Sequence, residues 1–107
     1  MIDTPSSMPL LYSQDGLGGE AIVHAKFFTP WSDWTWYATE YDPVERIFFG
    51  FVVGFESELG YFSLDEMEAI RGPLGLEIER DLHWPPRPLK EVPEYVAWTS
   101  RPIRTTV

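Results

Sequence analysis

Residues 46–55 of this chain read Arg-Ile-Phe-Phe-Gly-Phe-Val-Val-Gly-Phe, so every position after the arginine is apolar or glycine. As a strand, the run sets Ile47, Phe49, Phe51, Val53 and Phe55 on one face and Phe48, Gly50, Val52 and Gly54 on the other. A strand that is apolar on both sides must be covered on both sides, which places it within a sheet that is packed above and below. At 107 residues, 44% of them apolar and 16% aromatic, the chain has the length of one domain and ample core material for it.

The flanking segments are patterned to pair with that run. Residues 20–28 alternate, with Ala21, Val23, Ala25 and Phe27 opposite His24 and Lys26. Residues 33–41 alternate as well, with Trp34, Trp36 and Ala38 opposite Thr35, Tyr37 and Thr39. Asp42-Pro43-Val44-Glu45 reads as a type I turn with proline in second place, and a brief strand is expected at 59–62. Links this short favour an antiparallel meander. Ser63-Leu64-Asp65-Glu66 is a capping box opening a helix of about two turns. Its Leu64, Met67 and Ile70 share one face, Arg71 lies in its last turn, and Gly72-Pro73 ends it. Residues 76–84 offer a later strand with Ile78, Leu82 and Trp84 inward, stopped by Pro85, Pro86 and Pro88. Residues 89–92 offer one helical turn.

The expected fold is α+β: a small antiparallel sheet of three to four meandering strands, a later strand, and one short packed helix. Residues 1–107 form a single domain in this reading. It has a loop-like segment at 1–19, a core at 20–92 and a mobile tail at 93–107.

Charge limits the partners. Eight basic and 17 acidic residues give a formal net charge of −9, which opposes direct contact with nucleic acid or an anionic membrane. There is no Cys, which removes disulfides, thiolate nucleophiles and Cys-ligated metals. No apolar run approaches the ~20 residues of a membrane span, and no secretory signal is visible, so a cytoplasmic location is expected. Residues 1–70 hold 12 acids against Lys26 and Arg46, whereas residues 71–107 hold five acids against six bases. Seventeen carboxylates on an expected surface of about 6,100 Å² average one per roughly 360 Å². A duplex presents one phosphate per ~110 Å². Mimicry of DNA would therefore need Asp33, Glu40, Asp42, Glu45, Glu56, Glu58, Asp65, Glu66 and Glu68 gathered on one side. In a meander the 42–45 and 56–58 turns lie at opposite ends of the sheet, so two separate acidic rims are an equal expectation.

Three constellations offer chemistry. Glu79, Asp81 and His83 share the polar face of the later strand and could meet a hard or borderline cation, as in a metal-assisted hydrolase. Period-two spacing puts neighbours roughly 7 Å apart, which suits a plain solvated strand face equally well. Trp34, Trp36 and Tyr37, within a band that includes Trp31 and Tyr41, would form an aromatic ligand platform if exposed and core if buried. His24 has no spacing that selects a nucleophile or an orienting carboxylate. No nucleophile elbow, zinc-protease motif, P-loop or dinucleotide fingerprint is present.

Several blocks carry a resemblance: Lys26-Phe27-Phe28-Thr29-Pro30, Trp34-Thr35-Trp36-Tyr37-Ala38-Thr39-Glu40, Phe48-Phe49-Gly50, Glu58-Leu59-Gly60-Tyr61-Phe62-Ser63-Leu64, and Arg71-Gly72-Pro73-Leu74-Gly75-Leu76 through Glu79-Arg80-Asp81-Leu82. Over residues 8–92 the chain resembles domain-of-unknown-function family 2958, found on bacterial plasmids and conjugative elements. The resemblance implies a setting among accessory proteins of mobile elements, some of which blunt host restriction or CRISPR defences. It implies no activity and carries over no catalytic residue. The leading expectation is a non-enzymatic acidic protein, without cofactor, that binds a host- or element-encoded protein through those carboxylates.

Overall fold

A computed structural model of the chain describes residues 2–5 and 7–100. The two-sided apolar run becomes β4 (Ile47–Val53), paired on one side with β3 (Thr35–Asp42) and on the other with β5 (Ser57–Ser63). Beyond β3 lie β2 (Ala25–Phe28) and β6 (Glu79–Arg80), giving a five-stranded antiparallel sheet in the order β5-β4-β3-β2-β6. A second sheet is only a pair, β1 (Ile22–Val23) with β7 (Arg87–Pro88). The α+β class and the antiparallel meander are as the pattern requires. The run at 20–28 differs in being two strands. It breaks at His24, whose N–H still donates to the Ala38 carbonyl at 2.9 Å. Burial alternates without interruption from residue 21 to residue 29, yet Ala21 and Val23 serve one core while Ala25 and Phe27 serve the other.

Both faces of the large sheet are covered. On the first, Phe27, Trp36, Ala38 and Phe48 pack with Leu64 and Met67 of α1 (Leu64–Ala69) and with Ile2 and Ile78. On the second, Tyr37 and Phe51 pack with Val23, Leu89, Val92 and Tyr95. α1 starts where the capping box places it: the Ser63 hydroxyl accepts the Glu66 N–H at 3.2 Å. At its other end the Arg71 guanidinium donates to the Ile70 and Glu68 carbonyls, satisfying groups the helix leaves open.

The second face is closed by an element the pattern was expected to leave loose. Part of the expected tail forms a helix, α2 (Pro93–Thr99), while residues 101–107 lie outside the described residues. Pro93 pre-sets the first helical φ. Val92, Tyr95 and Trp98 recur at a spacing of three and so share one stripe. The rings of Tyr95 and Trp98 each lie 5.4 Å from that of Phe51.

The later strand is shorter than expected. The Asp81 carboxylate accepts the His83 N–H at 2.9 Å, and the Trp84 N–H donates to the Asp81 carbonyl at 3.2 Å. Pairing therefore stops at Arg80. Leu82, expected inward, is 69% exposed, while Trp84 swings onto the second face and its indole N–H donates to the Val23 carbonyl at 3.0 Å.

One irregularity matters for the site. Along β3, Ala38 pairs with Gly50 but Glu40 pairs with Phe49, so Thr39 is a bulged extra residue whose hydroxyl donates to the Phe49 carbonyl at 3.1 Å. The extra residue reverses the facing of everything after it. Tyr41 falls on the first face, 4.4 Å from the Phe48 ring, and Glu40 turns to the second.

Two measurements follow from this packing. A Cβ on Gly50 would meet the Tyr37 carbonyl oxygen at 2.0 Å, whereas one on Gly60 meets nothing within 4 Å. Gly50→Ala is expected to cost about 3 kcal/mol or to prevent folding, and Gly60→Ala to stay within about 0.5 kcal/mol of the parent in urea denaturation. Burial holds the His24 imidazole below its ordinary value. Between that lowered value and about 6.5, the unfolded chain binds the proton that the folded chain refuses, so this part of stability is lost as pH falls through the window. Thermal scans from about pH 7.5 to about pH 5.5 should show Tm falling, and His24→Gln should flatten that fall.

Candidate functional site

The end of the sheet formed by the 29–34 and 54–56 turns gathers groups the fold does not consume. Thr29, 6% exposed, holds the first turn: its N–H donates to the Trp34 carbonyl at 3.1 Å and its hydroxyl accepts the Trp34 N–H at 3.2 Å. The Ser32 hydroxyl bonds the Thr29 hydroxyl at 2.5 Å, and Asp33 projects exposed from the turn. In the second turn the Gly54 N–H donates to the Glu56 carbonyl at 3.2 Å. The Trp34 ring covers Gly54 so closely that a Cβ there would sit 2.4 Å from it.

This turn ends β4 two residues before Phe55, which was expected to continue the strand's apolar face. Phe55 is instead 96% exposed, with its ring edge-on to Trp34 at 5.4 Å and 83°. Backing it, Trp34 lies 5.8 Å from Trp36 of the first core, so the exposed ring stands on a packed aromatic stack. To one side is a shallow depression of about 520 Å³ beside Asp33 and Trp34. To the other is one of about 780 Å³ lined by Glu56, Glu58, Glu94 and Trp98. Glu94 accepts the Tyr37 hydroxyl at 2.7 Å. Burial, and then that carboxylate, holds the phenol well above its ordinary titration range. Asp33, Glu56 and Glu58 enter no ion pair among the described residues.

The nine acids of the sequence reading do not share one face. Asp33, Glu56 and Glu58 lie at the Phe55 end, whereas Asp42, Glu45, Asp65, Glu66 and Glu68 lie at the opposite end, where Asp42 pairs with Ile47 and Ile47 with Ser63. That second group is largely occupied. Arg46 bonds Asp65 at 2.6 Å and Glu68 at 2.7 Å, Glu68 also accepts the Ile2 N–H at 3.0 Å, and Asp42 accepts the Val44 and Glu45 N–H groups. Glu40 belongs to neither group. It is 4% exposed and accepts the Tyr12 and Gln14 N–H groups, both at 2.8 Å.

The expected aromatic trio is divided in the same way. Trp36 and Tyr37 are buried on opposite faces of β3, and of the three only half-buried Trp34 reaches the surface. Glu79 sits on β6 while Asp81 and His83 sit in the turn after it. Among the described residues no three His, Asp or Glu side chains are placed to hold a metal ion.

The family model described as a protein of unknown function, DUF2958, matches residues 13–102. The chain belongs to this family. No curated protein and no solved structure matches it. The DUF2958 match runs past residue 92, where the sequence resemblance stopped, and so takes in the whole of α2. No helix among the described residues of this DUF2958 chain is long and apolar enough to cross a membrane. The signal for Phe55 was present in its neighbours. Gly54 and Glu56 flank it, and a strand ending in Gly-Phe-Glu-Ser has reached a turn.

Proposed function

We propose that the protein is a non-enzymatic binding module and that its Phe55 end docks on a protein partner with an apolar pocket and a basic rim. The carrying observation is a fully exposed phenylalanine, braced by a packed tryptophan, among carboxylates that form no ion pair among the described residues. An aromatic anchor inside a polar rim is the composition of binding hot spots. Unpaired acids add long-range attraction toward a basic surface. The resemblance noted in the sequence adds the setting: an accessory protein of a plasmid or conjugative element. An inhibitor of a host restriction or CRISPR component is the most concrete form of this reading.

The test is a comparative capture from a bacterial lysate. A partner retained by the parent protein should be lost with Phe55→Ala, which should weaken purified binding about 30-fold. Glu56→Lys with Glu58→Lys should weaken it further and reduce its salt dependence between about 50 and about 300 mM. Glu45→Lys with Glu66→Lys, at the far end, should leave it unchanged. Phe55→Ala should also leave Tm unchanged, because the ring is solvent-exposed. A partner held equally by the parent and by Phe55→Ala would refute the assignment, as would the absence of any partner specific to the parent.

A further inference from the structure

The second face of the sheet carries a cleft of about 570 Å³, away from Phe55, where residues 12–18 fold back over β3, β4 and β5. Phe49, Leu59 and Tyr61 line it from the sheet, Tyr12 lines it from the folded-back segment, and Glu40 stands in its wall. The bulge at Thr39 is what aims Glu40 here.

The covering segment is pinned by its hydrogen bonds. Glu40 accepts the Tyr12 and Gln14 N–H groups, one on each carboxylate oxygen. The Gln14 side chain accepts the Ile22 N–H at 2.7 Å and donates to the Ile22 and Thr39 carbonyls at 3.0 and 2.8 Å. The cleft is therefore built into the fold and does not depend on a loose loop.

Its chemistry is one-sided. Glu40 is 4% exposed and makes no ion pair among the described residues, and Asp15 is the other ionised group lining the space. Among the described residues no lysine or arginine lines it. A carboxylate buried with two amide donors and no cation leaves a negative potential in a low-dielectric wall. Around that wall stand aromatic rings: Phe49 and Tyr61 meet edge to face at 5.0 Å, and the neighbouring Tyr12 side chain raises the Tyr61 phenol above its ordinary range. Aromatic rings around a negative centre are the means by which alkylated ammonium groups are recognised, through ring quadrupoles and charge together.

We infer that this cleft is a binding site for an alkylammonium group, presented by a small quaternary amine or by a methylated lysine side chain. The site is separate from the Phe55 surface and stands whether or not that surface binds a protein.

The decisive comparison uses the full chain in an NMR titration. Choline and N-acetyl-trimethyllysine amide are each set against 3,3-dimethyl-1-butanol, the neutral isostere of choline. Shifts at the Tyr12 and Gln14 amides and the Phe49 and Tyr61 rings are expected with either cation, and binding of the isostere should be at least about fivefold weaker. If trimethyllysine binds more tightly than choline, the natural source is a side chain; if choline binds more tightly, it is a small molecule. Tyr61→Leu, at an exposed position, should keep the parent's Tm and lose at least about fivefold in cation affinity. Equal binding of choline and its isostere, no shift with either cation, or undiminished binding by Tyr61→Leu would each overturn the inference.

Discussion

Thr39, the one residue too many in β3, sets the arrangement of everything around it. Strand side chains alternate strictly, so a single insertion exchanges the two faces for all that follows. Before the bulge, Trp36 and Ala38 build the first core and Tyr37 the second; after it, Tyr41 joins the first core against Phe48 and Glu40 passes to the second face. A regular strand would have sent the Glu40 carboxylate into the aromatic layer around Phe48, where an ionised group without partners is costly. With the bulge it meets the backbone of residues 12–14 and ties the N-terminal segment to the sheet.

The second dependency is the pair of covers on β4. Phe48 and Phe51 are both fully buried, one on each face, and each side chain gains roughly 1.5–3 kcal/mol from that burial. α1 and α2 are too short to persist alone, with six and seven residues respectively, and exist because the sheet offers them apolar ground. The same logic explains what is left outside. Once Gly54 turns the chain, Phe55 has no layer to enter and stands on Trp34 in solvent, and the acids beside it form no ion pair among the described residues. The protein's two unspent features, an anchored ring flanked by carboxylates and a negative aromatic cleft, lie on different parts of one sheet.

Much of this was legible along the chain. The capping box at Ser63 announced α1 because its hydrogen bonds are local, between residues three apart. The turn at 42–45 was legible for the same reason, since Asp42 bonds the amides that follow it. α2 was also encoded, in Pro93 and in the spacing of Val92, Tyr95 and Trp98, but its weight lies in contact with Phe51, more than 40 residues earlier in the sequence. The later strand misled for the complementary reason. Residues 78–84 alternate well enough, yet the side-chain bond from Asp81 to the His83 amide competes with the ladder and ends pairing after two residues.

By itself, then, the sequence determined the antiparallel meander, the two-sided burial of the strand at 47–53, the start of the first helix, and a formal net charge of −9. These are properties of spacing and composition, complete within a few neighbouring residues. Tertiary structure alone decided how the acids divide. Three beside Phe55 form no ion pair among the described residues, two are held by Arg46 at the far end, and Glu40 is buried in a cleft wall. That division depends on strand register and on one bulged residue, and register is set by which distant side chains pack together.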